Sequence, residues 1–143
     1  MGEQFTIALS QRGYCYTWGM NDKGQLGNGT EYPSYEPIQV SNIGATSQHP
    51  IKAITKIACG LKHCLVMTKN SQLVAWGSNL QCQLGKKLSQ MQGQGQAPQA
   101  HSNLPVVVNA YDQAMPIHIA CGSYHNVVLS KALPKQENPN LEN

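Results

Sequence analysis

Trp18-Gly19-Met20-Asn21-Asp22-Lys23-Gly24-Gln25-Leu26-Gly27 and Trp76-Gly77-Ser78-Asn79-Leu80-Gln81-Cys82-Gln83-Leu84-Gly85 are two versions of one phrase. Each closes a short apolar run, Tyr14 to Trp18 in the first copy and Leu73 to Trp76 in the second. A second phrase also occurs twice, as Ile57-Ala58-Cys59-Gly60-Leu61-Lys62-His63 and Ile119-Ala120-Cys121-Gly122-Ser123-Tyr124-His125. Apolar residues follow each of these, Leu65-Val66-Met67 and Val127-Val128-Leu129. Two unrelated phrases recurring at a common spacing of about 60 residues mark a tandem repeat, and such periods belong to solenoids, propellers or arrays.

Working outward, each copy holds four short apolar runs separated by turn residues. The first has Phe5 to Leu9, Tyr14 to Trp18, Pro37 to Val40 and Ile54 to Ala58. The second has His63 to Met67, Leu73 to Trp76, Pro105 to Val108 and Ile117 to Ala120, and a ninth run covers His125 to Leu129. Runs this short, rich in Ile, Val and aromatics and bounded by Gly, Asn and Pro, predict strands. The links Ser10-Gln11-Arg12-Gly13 and Thr68-Lys69-Asn70-Ser71 are short enough for hairpins. No 3.6-residue apolar period appears, so no helix longer than about two turns is expected. Four strands per repeat predict an all-β chain: a partial β-propeller of about two four-stranded blades, forming an open arc. The units are expected at 5–62 and 63–124, with an extra strand at 125–130, all within one repeat region at 1–130. The polar, Pro-interrupted segment 131–143 is expected to be disordered, and the Gln/Gly tract from Gln90 to Gln99 reads as a mobile loop.

The combination Trp-Gly-x-Asn-x-x-Gly-Gln-Leu-Gly-x-Gly at Trp18 to Gly29, then Pro37-Ile38-Gln39-Val40, then Ile57-Ala58-Cys59-Gly60-x-x-His63, resembles the regulator-of-chromosome-condensation repeat. The resemblance runs from Phe5 to Ser130. It implies the blades of a propeller that is seven-bladed in that family. The family includes exchange factors for the Ran GTPase, ubiquitin ligases and ciliary scaffolds. The second copy departs from the pattern, with Cys82 where the first has Gly24 and Lys86-Lys87 in place of Asn28-Gly29.

Composition bounds the function. Of the 143 residues 41% are hydrophobic and only 12% charged, with 13 Gly and 8 Pro, a balance that suits strands and turns. The net charge of +3, with no basic run longer than Lys86-Lys87, leaves no electrostatic footprint for nucleic acid. No window of apolar residues is long enough for a membrane-spanning helix, and Met1-Gly2-Glu3-Gln4 has neither a basic flank nor an apolar core. The odd set of five cysteines, Cys15, Cys59, Cys64, Cys82 and Cys121, predicts free thiols in the cytoplasm or nucleus.

The repeat signature comprises Trp18, Gly19, Asn21, Gly24, Gln25, Leu26, Gly27, Cys59, Gly60, His63, Trp76, Gly77, Asn79, Gln83, Leu84, Gly85, Cys121, Gly122 and His125. Its members are expected to be structural. Trp18 and Trp76 are predicted to be buried between blades, and His63 and His125 to be buried and to tie down adjacent turns. Cys59, His63 and Cys64 suggest zinc by ligand type, yet Cys64 becomes Asn126 in the second copy, so no metal is expected. The glycines at 24, 27 and 29 lack the Lys-Ser/Thr of a phosphate loop and are expected to supply turns. The sequon Asn28-Gly29-Thr30 is expected to be silent without a secretory route. No catalytic set and no cofactor site stand out from the repeated residues.

The expected function is therefore a non-enzymatic scaffold for a protein partner. The alternative is guanine-nucleotide exchange, alone or as part of a factor, on a Ran-like or other small GTPase. Further blades, or self-association, are expected to cover the open ends of the arc.

Overall fold

The computed structural model describes residues 1–41, 53–85, 100–108 and 114–132. Nine strands run in chain order. They are β1 Phe5–Leu9, β2 Cys15–Gly19, β3 Ser34–Gln39, β4 Ile54–Cys59, β5 His63–Thr68, β6 Leu73–Ser78, β7 His101–Val108, β8 Ala114–Cys121 and β9 Asn126–Ala132. Each overlaps one of the nine apolar runs, and the described residues include no helix. The expected mobile tract at 90–99 lies outside the described residues, as does most of the expected tail. Lys131 and Ala132, the first two residues of that expected tail, instead finish β9, paired with Met115 and Ala114.

The strands form three antiparallel sheets, ordered β1-β2-β3, β4-β5-β6-β7 and β8-β9. The expected units 5–62 and 63–124 are repeats of sequence, and the hydrogen-bonded sheets run one strand out of phase with them. The cause is local. Between Gly60 and His63 only Leu61 and Lys62 intervene, and the Gly60 N–H bonds the His63 carbonyl at 2.9 Å. A link that short closes a hairpin and cannot reach another sheet, so β4 pairs with β5, Cys59 opposite Cys64. The same turn at Gly122 and His125 joins β8 to β9.

Burial reports each sheet's neighbours. β1 and β2 alternate between buried and half-buried positions, as strands covered on one face do. β5 and β6 are buried at every position, because the second sheet is covered on both faces. One core cluster joins Phe5, Ile7, Cys15, Leu26 and Val40 to Ile54, Cys64, Val66, Val74 and Trp76 across the first junction. The other sets Leu65, Met67, Leu73, Ala75 and Leu84 against Ile119 across the second. Repeat-equivalent backbone groups link successive sheets as well: Glu3 N–H bonds Leu61 C=O at 2.9 Å, and Leu61 N–H bonds Ser123 C=O at 3.1 Å. The result is a partial propeller arranged as an open arc.

Candidate functional site

The β2–β3 and β6–β7 loops emerge at the same end of the sheets as the β4–β5 and β8–β9 turns, and one hydrogen-bond scheme builds both loops. Asn21 is fully buried. Its Oδ1 accepts from Leu26 N–H at 2.9 Å, and its Nδ2 donates to the carbonyls of Thr30 at 2.9 Å and Tyr32 at 3.0 Å. Asn79 Oδ1 likewise accepts from Leu84 N–H at 2.9 Å. Gln25 Oε1 accepts from Lys23 N–H and Gln83 Oε1 from Gln81 N–H, both at 2.8 Å. The amide side chains thus satisfy buried and half-buried backbone donors that the turn leaves unpaired. Gly24 sits at φ 67° and Cys82 at φ 59°, so the cysteine adopts the left-handed backbone its counterpart leaves to glycine.

The loops also make the junctions. Gln25 C=O accepts from Trp76 Nε1–H at 2.9 Å and from Cys64 Sγ–H at 3.6 Å, both in the next sheet. Gln83 C=O accepts from Asn126 Nδ2 at 2.6 Å in the third sheet. A Cβ at Gly27 would lie 2.8 Å from the Trp76 indole nitrogen, so this glycine admits the ring. Gly60 and Gly122 each lie under the imidazole three residues on, with no room for a side chain.

Trp76 and His63 are fully buried, as expected. Trp18 is only half-buried and His125 is exposed, which corrects the expectation that both members of each pair are covered. The signature tryptophan is covered by the loop of the sheet before it, and the histidine by the sheet after it. Trp18 has no described sheet before it and His125 none after. The remaining signature glycines, Gly19, Gly77 and Gly85, all have positive φ.

His63 Nε2 lies 2.8 Å from Asn126 Oδ1. Because Asn126 Nδ2 is committed to Gln83, its Oδ1 is the acceptor and His63 Nε2 carries the proton. His63 Nδ1 is buried with no hydrogen-bond partner. Burial lowers the His63 pKa below its ordinary value. Among the described residues no three His, Cys, Asp or Glu side chains group as metal ligands, and Cys59, His63 and Cys64 do not converge on a point.

What differs between the copies lies at the loop tips. Across the first junction Asp22 and Lys62 form an ion pair of 2.8 Å. Desolvation pushes the Asp22 carboxyl up, but hydrogen bonds from Lys62 and Gln25 outweigh it and hold its pKa below the usual value. The repeat-equivalent positions at the second junction are Leu80 and Tyr124, exposed at 57% and 58%. An open groove of about 230 Å³ runs between the two pairs, lined by Glu3, Lys23, Leu61, Lys62, Leu80 and Tyr124. Motif reading missed this surface because it searches for what recurs. Subtracting one copy from the other would have found it.

The model for the regulator of chromosome condensation (RCC1) repeat matches residues 12–67 and 71–129, and a second model of that repeat matches 54–82. The chain is 39% identical over 82 residues to the human E3 ubiquitin-protein ligase HERC2, covering 57% of this chain and 2% of that protein. It is 38% identical over 85 residues to the ultraviolet-B receptor UVR8 of Arabidopsis thaliana, covering 59% and 18%. Mouse alsin matches over 132 residues at 29% identity, covering 91% and 7%. Yeast RCC1 (Prp20), solved bound to Kap60, superposes with a TM-score of 0.69 at 25% identity, over 91% of this chain and 26% of that one. Human WBSCR16 gives 0.69 at 21% identity, over 90% and 29%. The chain thus spans less than a third of each of these proteins.

Proposed function

Since this chain belongs to the RCC1 repeat family, we propose that it is a protein-interaction segment whose loop face docks a partner protein. One observation carries the reading: the same Asn and Gln bonds to the backbone hold different tips, an ion pair at Asp22 and Lys62 and an exposed apolar pair at Leu80 and Tyr124. A rigid frame with varied tips is how loops on a scaffold acquire specificity. The partner meets the frame as a protein surface offering an apolar side chain to Leu80 and Tyr124. Solvation favours such docking, since two large half-exposed side chains lose water together. Cytoplasm or nucleus, where thiols stay reduced, suits the five free cysteines.

The test places a photocrosslinking residue at Tyr124 and, as a control, at Asn70 on the opposite end of the sheets. The expected result is a protein adduct from position 124 alone, competed by the unlabelled chain and lost in Leu80→Glu. Equal adducts from both positions would sink the proposal. Prp20p is described by its structure as binding Gsp1p and histones. Nucleotide release from a panel of small GTPases therefore accompanies the crosslinking. Acceleration dependent on Leu80 and Tyr124 would make the docked partner a GTPase and the role exchange.

A further inference from the structure

We propose that Cys59 and Cys64 form a redox-responsive pair that closes a disulfide across the β4–β5 hairpin under hydroperoxide. The pairing register sets the two residues directly opposite each other, so their side chains share one face. Gly60 and His63 form a hydrogen-bonded pair beside them. Hydrogen-bonded and non-hydrogen-bonded pairs alternate along an antiparallel ladder, so Cys59 and Cys64 occupy a non-bonded pair, where Cα atoms stand about 4.5 Å apart. That separation lies inside the range of about 4.4–6.8 Å that a disulfide spans.

The third sheet supplies an independent check on side-chain reach. There the same pair is Cys121 and Asn126, and Cys121 Sγ touches Asn126 Oδ1 at 3.0 Å. Side chains at this pair therefore meet, and in the second sheet both are thiols. Among the described residues no other strand pairing opposes two cysteines. Cys82 is exposed on the β6–β7 loop, and Cys15 is buried on β2.

The two thiols also divide the work. Cys59 is half-buried and packs at the edge of the first core cluster, whereas Cys64 is sealed within it. Burial raises the Cys64 thiol well above its usual pKa, which makes Cys59 the attacking group. The Cys59 thiolate takes an oxygen from a hydroperoxide ROOH; the O–O bond breaks and the alkoxide leaves as ROH with the Cys59 proton. The Cys64 sulfur then attacks Cys59 Sγ, the S–O bond breaks, and the oxygen departs as water with the Cys64 proton. Two thiols lose two electrons and the peroxide gains them. The reaction also reaches the junction, because oxidation removes the S–H that Cys64 donates to Gln25 C=O. Only Trp76 Nε1–H is then left on that carbonyl from the second sheet.

The experiment uses the full chain carrying Cys82→Ser, exposed to hydrogen peroxide, alkylated with iodoacetamide under denaturing conditions and cut with trypsin. Cleavage after Lys56, Lys62 and Lys69 puts the two cysteines on separate fragments, 57–62 and 63–69. The expected result is loss of both alkylated fragments and the appearance of a single disulfide-joined species, reversed by dithiothreitol, with the protein still monomeric-sized on a nonreducing gel. With Cys64→Ser, whose hydroxyl keeps a donor toward Gln25, Cys59 should stop at a sulfenic acid trapped by dimedone. The proposal is overturned if both fragments stay alkylated after peroxide. It is equally overturned if Cys59 joins a fragment carrying Cys15 or Cys121, if the link is intermolecular, or if the purified thiols hold stoichiometric zinc.

Discussion

The indole N–H of Trp76 donates to the backbone carbonyl of Gln25 at 2.9 Å, across the junction between the first and second sheets. Trp76 is fully buried, whereas Trp18, at the same place in the preceding repeat, is half-buried. Trp76→Ala should therefore destabilise by about 3–5 kcal/mol, the usual cost of emptying a large aromatic site. Trp18→Ala should cost clearly less. Urea unfolding followed by circular dichroism gives both values, and equal losses would show that the neighbouring loop adds nothing to Trp76.

Stability should fall in mild acid. His63 has a folded pKa below its ordinary 6.5, with burial as the main cause. The unfolded chain therefore binds the proton more readily, so this contribution is complete above about pH 6.5 and shrinks as pH drops toward the folded value. Phe5 occupies the register of His63 in the first sheet, opposite Gly19 as His63 is opposite Gly77. His63→Phe should accordingly remove much of the slope of stability against pH between neutrality and pH 5. An unchanged slope would place the titration elsewhere.

Cys82→Gly should stabilise the chain by about 1 kcal/mol, the strain of a side chain held in the left-handed region. Gly24→Ala, its mirror experiment, should destabilise by more than that. It sits at φ 67°, and its new Cβ would lie 2.5 Å from Asn103 Cα. Midpoints of urea unfolding decide the sign in each case, and a destabilised Cys82→Gly would mean that the thiol contributes contacts outweighing its backbone strain.

The isolated chain should self-associate through the outer face of β9. Val127 and Leu129 are 57% and 59% exposed, whereas Leu65 and Met67, their repeat counterparts, are 1% and 6% exposed under the following sheet. Paired apolar exposure of this kind favours association. Sedimentation velocity should show species that grow with concentration, and Leu129→Lys should shift them toward monomer. A wild-type chain that stays monomeric at every concentration tested would contradict this.

Much of the fold was legible in the residues because the recurring ones act locally. Asn21 and Asn79 accept through Oδ1 from backbone groups five positions on, and the Gln25 and Gln83 amides close their own loops. Such bonds depend on spacing along the chain, so a self-alignment finds the residues that make them, though not the bonds themselves. The nine strands follow for the same reason, since apolar runs between turn residues decide where pairing starts and stops.

Other features depended on what each residue is placed against. The sheets fall out of phase with the repeats because a two-residue turn holds β4 to β5. Cys59 meets Cys64 only through that register. Asp22 and Lys62, 40 residues apart, pair across a junction that no local pattern encodes. Trp18 and Trp76 share a sequence context and differ in burial, as do His63 and His125, because cover comes from an adjoining sheet. The sequence by itself determined the strands, the recurring loop residues and the family. Tertiary structure alone decided which equivalent residues lie dry and which tips face outward, because desolvation depends on the neighbouring sheet and not on spacing along the chain.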